Sequence, residues 1–247
     1  MKHVEDIINE LFQLGPIKTW SLIVTVFGDL DGDNLSGKEL GNLMKPLGMK
    51  PEATRVALHR LRKDGWIVSH KSGREVTYQL SEHGRNTTNA VYDEVYGQDL
   101  KYPEGWQFLI TAGTIDELVN ELPSIQIGRH LVLIPKSSPR DINTTMEIKI
   151  VQDEIPAWFR NRLVNEETLS LSKTLLSYIA GYKQIERQAS DLQKTLIRLL
   201  ILHHWRRMAL RSTSWAHMSM LPNGPMALLH KSVTKFLKQT APTKLSH

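Results

Sequence analysis

ATRVALHRLRKDGWIVSHKSGREVTYQLSEHG, residues 53–84, changes its hydrophobic period partway along, and that change decides the fold. Up to Lys63 the period is helical. Thr54, Ala57, Leu58 and Leu61 form one narrow apolar face, while Arg55, His59, Arg62 and Lys63 lie elsewhere on the cylinder. Pro51, just upstream, suits a first helical position, where no N–H donor is needed. Gly65 is the residue type through which a helix exits in a left-handed conformation. From Trp66 the pattern turns to strand: Trp66 to His70, a polar turn Lys71-Ser72-Gly73-Arg74, then Glu75 to Leu80 with Val76, Tyr78 and Leu80 alternating. Ser81 is suited to cap a following helix that runs to about Tyr96, since its hydroxyl can accept from a free N–H of the first turn.

Upstream, Ser36-Gly37-Lys38-Glu39 has capping-box spacing and opens a short helix through Leu40, Leu43 and Met44, ended near Pro46 and Gly48. The order helix, helix, turn, helix, hairpin, helix is that of a winged helix-turn-helix, whose third helix enters a major groove while the wing grips the backbone. Charge agrees with this order. Between Arg55 and Arg85 seven Lys or Arg stand against three acids, an excess of four in a chain whose whole net charge is +5. Cations gathered on one helix and one hairpin tip are the footprint that phosphate binding requires. The residues expected to meet duplex DNA are Arg55, His59, Arg62, Lys63, Lys71 and Arg74. A winged helix that serves only protein interaction is the competing reading, against which stands the charge in two separate elements that converge on one duplex.

The 247-residue chain can hold two or three small domains without covalent staples. It contains no cysteine, which excludes disulfides, zinc thiolate sites and thiol catalysis and suits a reducing cytoplasm. Val4, Ile7, Ile8, Leu11 and Phe12 share one face of an N-terminal docking helix whose acids set it apart from a secretory signal. No segment approaches the roughly 20 apolar residues that span a bilayer, so a soluble, cytoplasmic protein without a membrane partner is expected.

The fold class expected is multi-domain α+β. Residues 1–97 form the winged helix-turn-helix domain with its docking helix, and the Pro- and Gly-containing stretch 97–105 forms a hinge. Residues 103–153 form a small α+β domain, with strands GWQFLIT, HLVLIPK and MEIKIVQ and a helix opened by Thr114-Ile115-Asp116-Glu117 and running to Leu122. Residues 154–247 are helical, with segments near 156–164, 168–188, 191–211 and 225–239. Within them Leu196, Leu199, Leu200, Ile201 and Leu202 cover more than one helical face, which marks a buried helix, at a dimer interface or in the core. His203, His204, Arg206 and Arg207 follow. They suit either an anionic effector or a plain helix end, where cations favour the macrodipole. Trp205 is read as core.

No Ser/His/Asp nucleophile motif, phosphate-cradling glycine loop or metal-spaced histidine set occurs, so no catalytic or metal-binding residue is assigned and no cofactor is expected. A metal-dependent nuclease in the middle domain would need a carboxylate at the end of its first strand. That strand ends Thr111-Ala112-Gly113, with Asp116 the nearest acid.

VALHRLRKDGWIVSHKSGREVTYQLSEHGR, residues 56–85, resembles the winged-helix signature of the PaaX family, repressors of phenylacetate catabolism. LLILHHWRRMALRS at 199–212, followed by LPNG at 221–224, resembles that family's C-terminal helical domain. The resemblance implies a winged helix, a middle ferredoxin-like domain similar to a CRISPR adaptation nuclease, and a helical domain that supports dimers. It also implies a repressor that binds double-stranded operator DNA and releases it on binding phenylacetyl-coenzyme A, or another acyl-coenzyme A where the regulated pathway is a different one. An effector of that kind carries phosphates, which suit the basic residues around Arg198, Arg206, Arg207 and Arg211. A homodimer is expected on separate grounds: one winged helix offers few contacts, whereas a two-fold pair reads an inverted repeat.

Overall fold

Residues 3–30, 34–97, 105–111, 124–136, 145–149 and 155–242 are described by the computed structural model, which is α+β with small antiparallel sheets. They fall in two units. One comprises residues 1–98, 177–207 and 232–247, the other 99–176 and 208–231. The helical stretch from 154 onward is thus divided between them.

In the first unit, helix α1 (Val4–Gln13) buries Ile7, Ile8 and Leu11, the centre of the docking face. Helix α2 (Thr19–Asp29) is buried along most of its second half, from Leu22 to Phe27 and again at Asp29. A two-residue strand β1 (Leu35–Ser36) leads into α3 (Gly37–Met44), where the expected capping box is formed. The Ser36 N–H donates to Glu39 Oε2 at 2.7 Å and the Glu39 N–H to Ser36 Oγ at 3.2 Å. A single 3₁₀ turn, Lys45–Leu47, closes on Gly48 at φ 69°. Helix α4 (Pro51–Lys63) then starts on its proline and buries Thr54, Ala57, Leu58 and Leu61, the seam that the spacing predicts. It packs against α2 and α3.

α4 ends in a Schellman arrangement. Gly65 takes φ 74°, its N–H donates to the Arg62 carbonyl at 3.2 Å, and the Trp66 N–H donates to the Leu61 carbonyl at 2.8 Å. The hairpin of β2 (Ile67–Ser72) and β3 (Glu75–Leu80) follows, and β3 also pairs with β1 in a three-stranded sheet of order β1-β3-β2. Ser72 pairs with Glu75, so the loop is only Gly73-Arg74 and the strands are longer at the tip than the expected four-residue turn allowed. Gly73 alone supplies the positive φ, 60°, and no other residue type among those described has one. A glycine at the first central position followed by a negative φ is a type II′ turn, whose twist matches that of the strands.

Ser81 caps α5 (Glu82–Asn89) by accepting from the Gly84 N–H at 3.0 Å. The helix expected to reach Tyr96 is broken at Ala90-Val91 and resumes as α6 (Tyr92–Tyr96). The run Asn86-Thr87-Thr88-Asn89 is poor in helix formers, and Thr87 Oγ1 donates back to the His83 carbonyl at 2.8 Å.

In the second unit, β4 (Trp106–Thr111), β5 (Ile125–Gly128), β6 (Leu131–Pro135) and β7 (Thr145–Lys149) make an antiparallel sheet of order β5-β6-β4-β7. Leu109 on β4 sits opposite Val132 on β6, and with Ile134 they form its buried centre. Strands GWQFLIT, HLVLIPK and the first part of MEIKIVQ are present, whereas β5 had no sequence expectation. The helix expected from Thr114 to Leu122, residues 112 and 113 beyond β4, Asp116 and residues 150–152 lie outside the described residues, as does most of the hinge at 97–105.

Helix α7 (Ala157–Leu163) brings Phe159 edge-on to Phe108 of β4, with ring centroids 5.5 Å apart. Helices α8 (Glu166–Glu186), α9 (Asp191–Ala209), α10 (Ser212–Met220) and α11 (Pro225–Gln239) complete the chain. α10 is the unexpected one. It buries Ser214, Ala216, His217, Met218 and Met220, a set with no single apolar face for a periodicity argument to find. No helix of the described residues is long and apolar enough to cross a membrane.

Candidate nucleic-acid interface

The seam of α4 faces inward, so the opposite arc of the same helix faces solvent. Arg55, His59, Arg62 and Lys63 are all exposed on it. At about 100° per residue, Arg55, His59 and Arg62 fall in one stripe and Lys63 stands beside them. Arg55 lies 3.8 Å from Glu52 with both side chains more than two-thirds exposed, a contact of small energy that leaves the guanidinium free to choose another partner. Arg60 is tied more closely. It reaches Asp64 at 3.4 Å and lies over the Trp20 ring at 5.7 Å from its centroid. Arg62 and Lys63 have no acidic partner among the described residues.

At the far end of the hairpin Lys71 and Arg74 are both exposed and, among the described residues, unpaired. The strands behind them are held in register from Ile67↔Leu80 to Ser72↔Glu75, and the hairpin base is pinned to α5. There the Ser81 hydroxyl donates to the Gly65 carbonyl, and the Ser81 N–H donates to the Trp66 carbonyl at 3.0 Å. Gly84 completes the joint, because a Cβ at that position would stand 2.2 Å from the Trp66 carbonyl oxygen. Helix, hairpin and closing helix are therefore one rigid piece carrying two sets of cations.

His203, His204, Arg206 and Arg207, grouped in the sequence as candidates for an anionic ligand, do lie together on α9. Their polar atoms turn toward α1 and α2. His204 Nε2 donates to the Leu11 carbonyl at 2.8 Å, and Arg207 Nη1 to the Pro16 carbonyl at 3.0 Å. Thr25 Oγ1 donates to the Ser21 carbonyl at 3.1 Å and accepts from Arg206 Nη1 at 3.1 Å. With the Thr25 proton so used, His203 Nδ1, 3.1 Å away, carries the hydrogen and donates to the same oxygen. Its Nε2 is then a bare lone pair, which is cheaper to bury without a partner than an N–H would be.

Both imidazoles are buried, at 1% and 0% exposure. Burial, reinforced by the neighbouring His204 and the two arginines, pushes the His203 pKa down from 6.5 to about 3, and burial also lowers that of His204. At neutral pH two members of the cluster therefore bring no positive charge to an anion. Arg198 is also committed elsewhere: it is 4% exposed and grips Asp29 at the end of α2 through Nε to Oδ2 at 2.8 Å and Nη2 to Oδ1 at 2.7 Å. Its remaining nitrogen donates to the Leu237 and Thr240 carbonyls and to Thr240 Oγ1. Composition gave no signal for this pairing. Trp205, read as core, is fully buried and donates its indole N–H to the Val95 carbonyl at 2.9 Å.

Among the described residues no three His, Asp or Glu side chains are grouped to hold a metal ion.

Residues 18–84 match the family model described as "PaaX-like protein". The matched stretch opens at the residue preceding α2 and closes at Gly84, the glycine that lets α5 pack on the hairpin base. The "Transcriptional repressor PaaX" of Escherichia coli (strain K12) is 24% identical over 242 residues, covering 85% of this chain and 77% of that protein. A solved structure, "Uncharacterized protein Rv0674 from Mycobacterium tuberculosis", is similar at 16% identity with a TM-score of 0.49, covering 88% of this chain and 92% of that one. Residues 18–84 are thus similar to a PaaX-like protein, in a chain similar to a PaaX repressor over most of its length.

Proposed function

We propose that this protein is a transcriptional repressor that reads operator DNA through a winged helix-turn-helix, with α4 as the recognition helix and the β2–β3 hairpin as the wing. The observation that carries the reading is the division of α4. One side is a buried seam of Thr54, Ala57, Leu58 and Leu61, and the other an exposed arc of Arg55, His59, Arg62 and Lys63, followed directly by a hairpin with Lys71 and Arg74 exposed at its tip. A helix in the major groove needs base-reading groups on its free face, and a wing needs cations at its tip for phosphates. The similarity to a named repressor supports the direction of control. Filter binding of the full chain to bulk duplex DNA across a salt series is the direct test. Binding that weakens steeply with salt is expected, and none at low salt would end the reading.

In the same reading the β5-β6-β4-β7 sheet supports a ferredoxin-like middle domain, because its antiparallel strands follow the order 2-3-1-4 of that fold. The repressor acts as a homodimer on an inverted repeat, controls an operon for catabolism of a phenylacetate-type aromatic acid, and is released by an aryl-acyl-coenzyme A. His203, His204, Arg206 and Arg207 serve as the linkage by which α9 holds α1 and α2. The effector itself has a more open candidate location, a cavity of about 340 Å³ whose lining includes Ile179, Tyr182, Phe236, Lys183, Lys235 and Glu186. Apolar side chains suit an aromatic acyl group, and two lysines against one glutamate favour a negatively charged tail. Arg198 extends the connection, since it holds the C-terminal carbonyls of α11 and the end of α2 together. Linkage requires that the effector and operator DNA weaken each other by the same factor. Calorimetry with phenylacetyl-coenzyme A, against free phenylacetate, tests the effector. No binding of any acyl-coenzyme A removes it and leaves DNA binding standing.

A further inference from the structure

Val56 stands on the exposed side of α4, next to the arc of Arg55, His59, Arg62 and Lys63, with 69% of its surface open to solvent. A single exposed valine is ordinary on a protein surface. Its position is what carries weight. At about 100° per residue it lies within roughly 60° of His59 and nearer still to Lys63, with Arg60 on its other side. Val56 is therefore an exposed apolar side chain beside His59 and Arg60, with Glu52 and Ala53 one turn before it, on the sixth residue of a thirteen-residue helix, in the half that meets base edges when a recognition helix lies in a groove.

Two properties fit this side chain to a particular partner. Valine on a helix is held to essentially one χ1 rotamer, so its two methyls are presented in a fixed direction and lose little freedom on contact. Within the major groove the only apolar group on any base is the C5 methyl of thymine, and apolar side chains are what recognise it. Resting on the DNA-binding reading above, we infer that Val56 is a specificity-determining residue that packs on the 5-methyl group of a thymine in each half-site. Arg55 and its cationic neighbours supply the hydrogen bonds and phosphate contacts, whereas Val56 excludes cytosine and uracil at one position. The side chain is not part of the buried seam of Thr54, Ala57, Leu58 and Leu61, and a lysine or serine would serve α4 equally well as a surface.

The test uses duplexes that the full-length protein itself selects from a random pool. Each thymine of the selected site is replaced singly by uracil, which deletes one methyl and leaves every hydrogen-bonding edge intact. For the wild-type protein, binding is expected to fall about four-fold at one thymine per half-site, the value of one buried methyl group. For Val56→Ser the thymine and uracil duplexes are expected to bind alike at that position, with the slope against salt unchanged. A wild-type protein indifferent to uracil at every position would overturn the inference, as would a penalty that persists unchanged in Val56→Ser. Failure to retain any duplex from the pool would instead overturn the DNA-binding reading itself, and the inference with it.

Discussion

Arg198 and Asp29, 169 residues apart in the sequence, meet in a two-point ion pair that is almost fully excluded from solvent. The planar guanidinium presents two parallel N–H groups to the two carboxylate oxygens, at 2.8 and 2.7 Å, and spends its third nitrogen on the end of α11. The pair ties the last residue of α2 to the middle of α9. It therefore joins α2, which packs against α4, to a helix far along the chain.

Asp29→Ala is expected to destabilise the protein by about 3–5 kcal/mol, because it leaves a buried guanidinium without its counter-charge. Asp29→Leu combined with Arg198→Met should recover much of that loss, since an apolar pair avoids the cost of desolvating two charges. Urea denaturation of the three proteins checks both statements. A single variant as stable as wild type would mean that water reaches the pair.

Gly84→Ala tests the joint between hairpin and closing helix. A methyl 2.2 Å from the Trp66 carbonyl oxygen meets backbone, which cannot swing aside as a flexible side chain would. A loss of about 1–3 kcal/mol is expected, as for other insertions into well-packed sites, despite alanine being the better helix former. Thermal unfolding gives the number, and an unchanged or raised Tm would show that α5 can slide off the hairpin base.

The pH dependence follows from His203. Its pKa falls from 6.5 in the unfolded chain to about 3 in the folded one, so between those values the unfolded chain holds a proton that the folded chain lacks. Its contribution is complete above pH 6.5 and is lost as the pH falls toward 3, with a slope approaching about 1.4 kcal/mol per pH unit. His204 is shifted in the same direction. His203→Asn keeps an N–H donor for Thr25 and does not titrate, so its stability should fall less between pH 6.5 and 4.5. Equal slopes in denaturant titrations of the two proteins would count against the burial of this imidazole.

Arg55→Ala and Arg74→Ala should differ in kind. On the recognition helix, loss of a bidentate contact to guanine costs roughly 1–3 kcal/mol of discrimination between the selected site and random DNA. On the wing, loss of a phosphate contact weakens both complexes alike and lowers the salt slope by about one unit. Titrations against both kinds of duplex at several salt concentrations separate the two patterns, and identical behaviour would undo the assignment of helix and wing.

Much of what depends on neighbours within a few residues was legible in the sequence, although the break at Ala90-Val91 and the two-residue hairpin loop were not. The seam of α4, the capping box at Ser36 and Glu39, the proline start at Pro51, the exit at Gly65 and the cap at Ser81 are local hydrogen bonds and local periods, and such patterns are written in consecutive residues. The exposure of Arg55, His59, Arg62 and Lys63 follows from the same seam, since the other side of an amphipathic helix has to face water. What the chain does at long range was decided only in three dimensions. The histidines of α9 look identical in sequence whether they cradle an anion or hold α1 and α2, and only the positions of Leu11 and Thr25 distinguish the two. Arg198 reads as one cation among several until Asp29 is brought against it. The grouping of residues 177–207 and 232–247 with the N-terminal unit likewise has no local signature. Burial and pairing are properties of the folded neighbourhood, and a side chain's charge state and partner are set there.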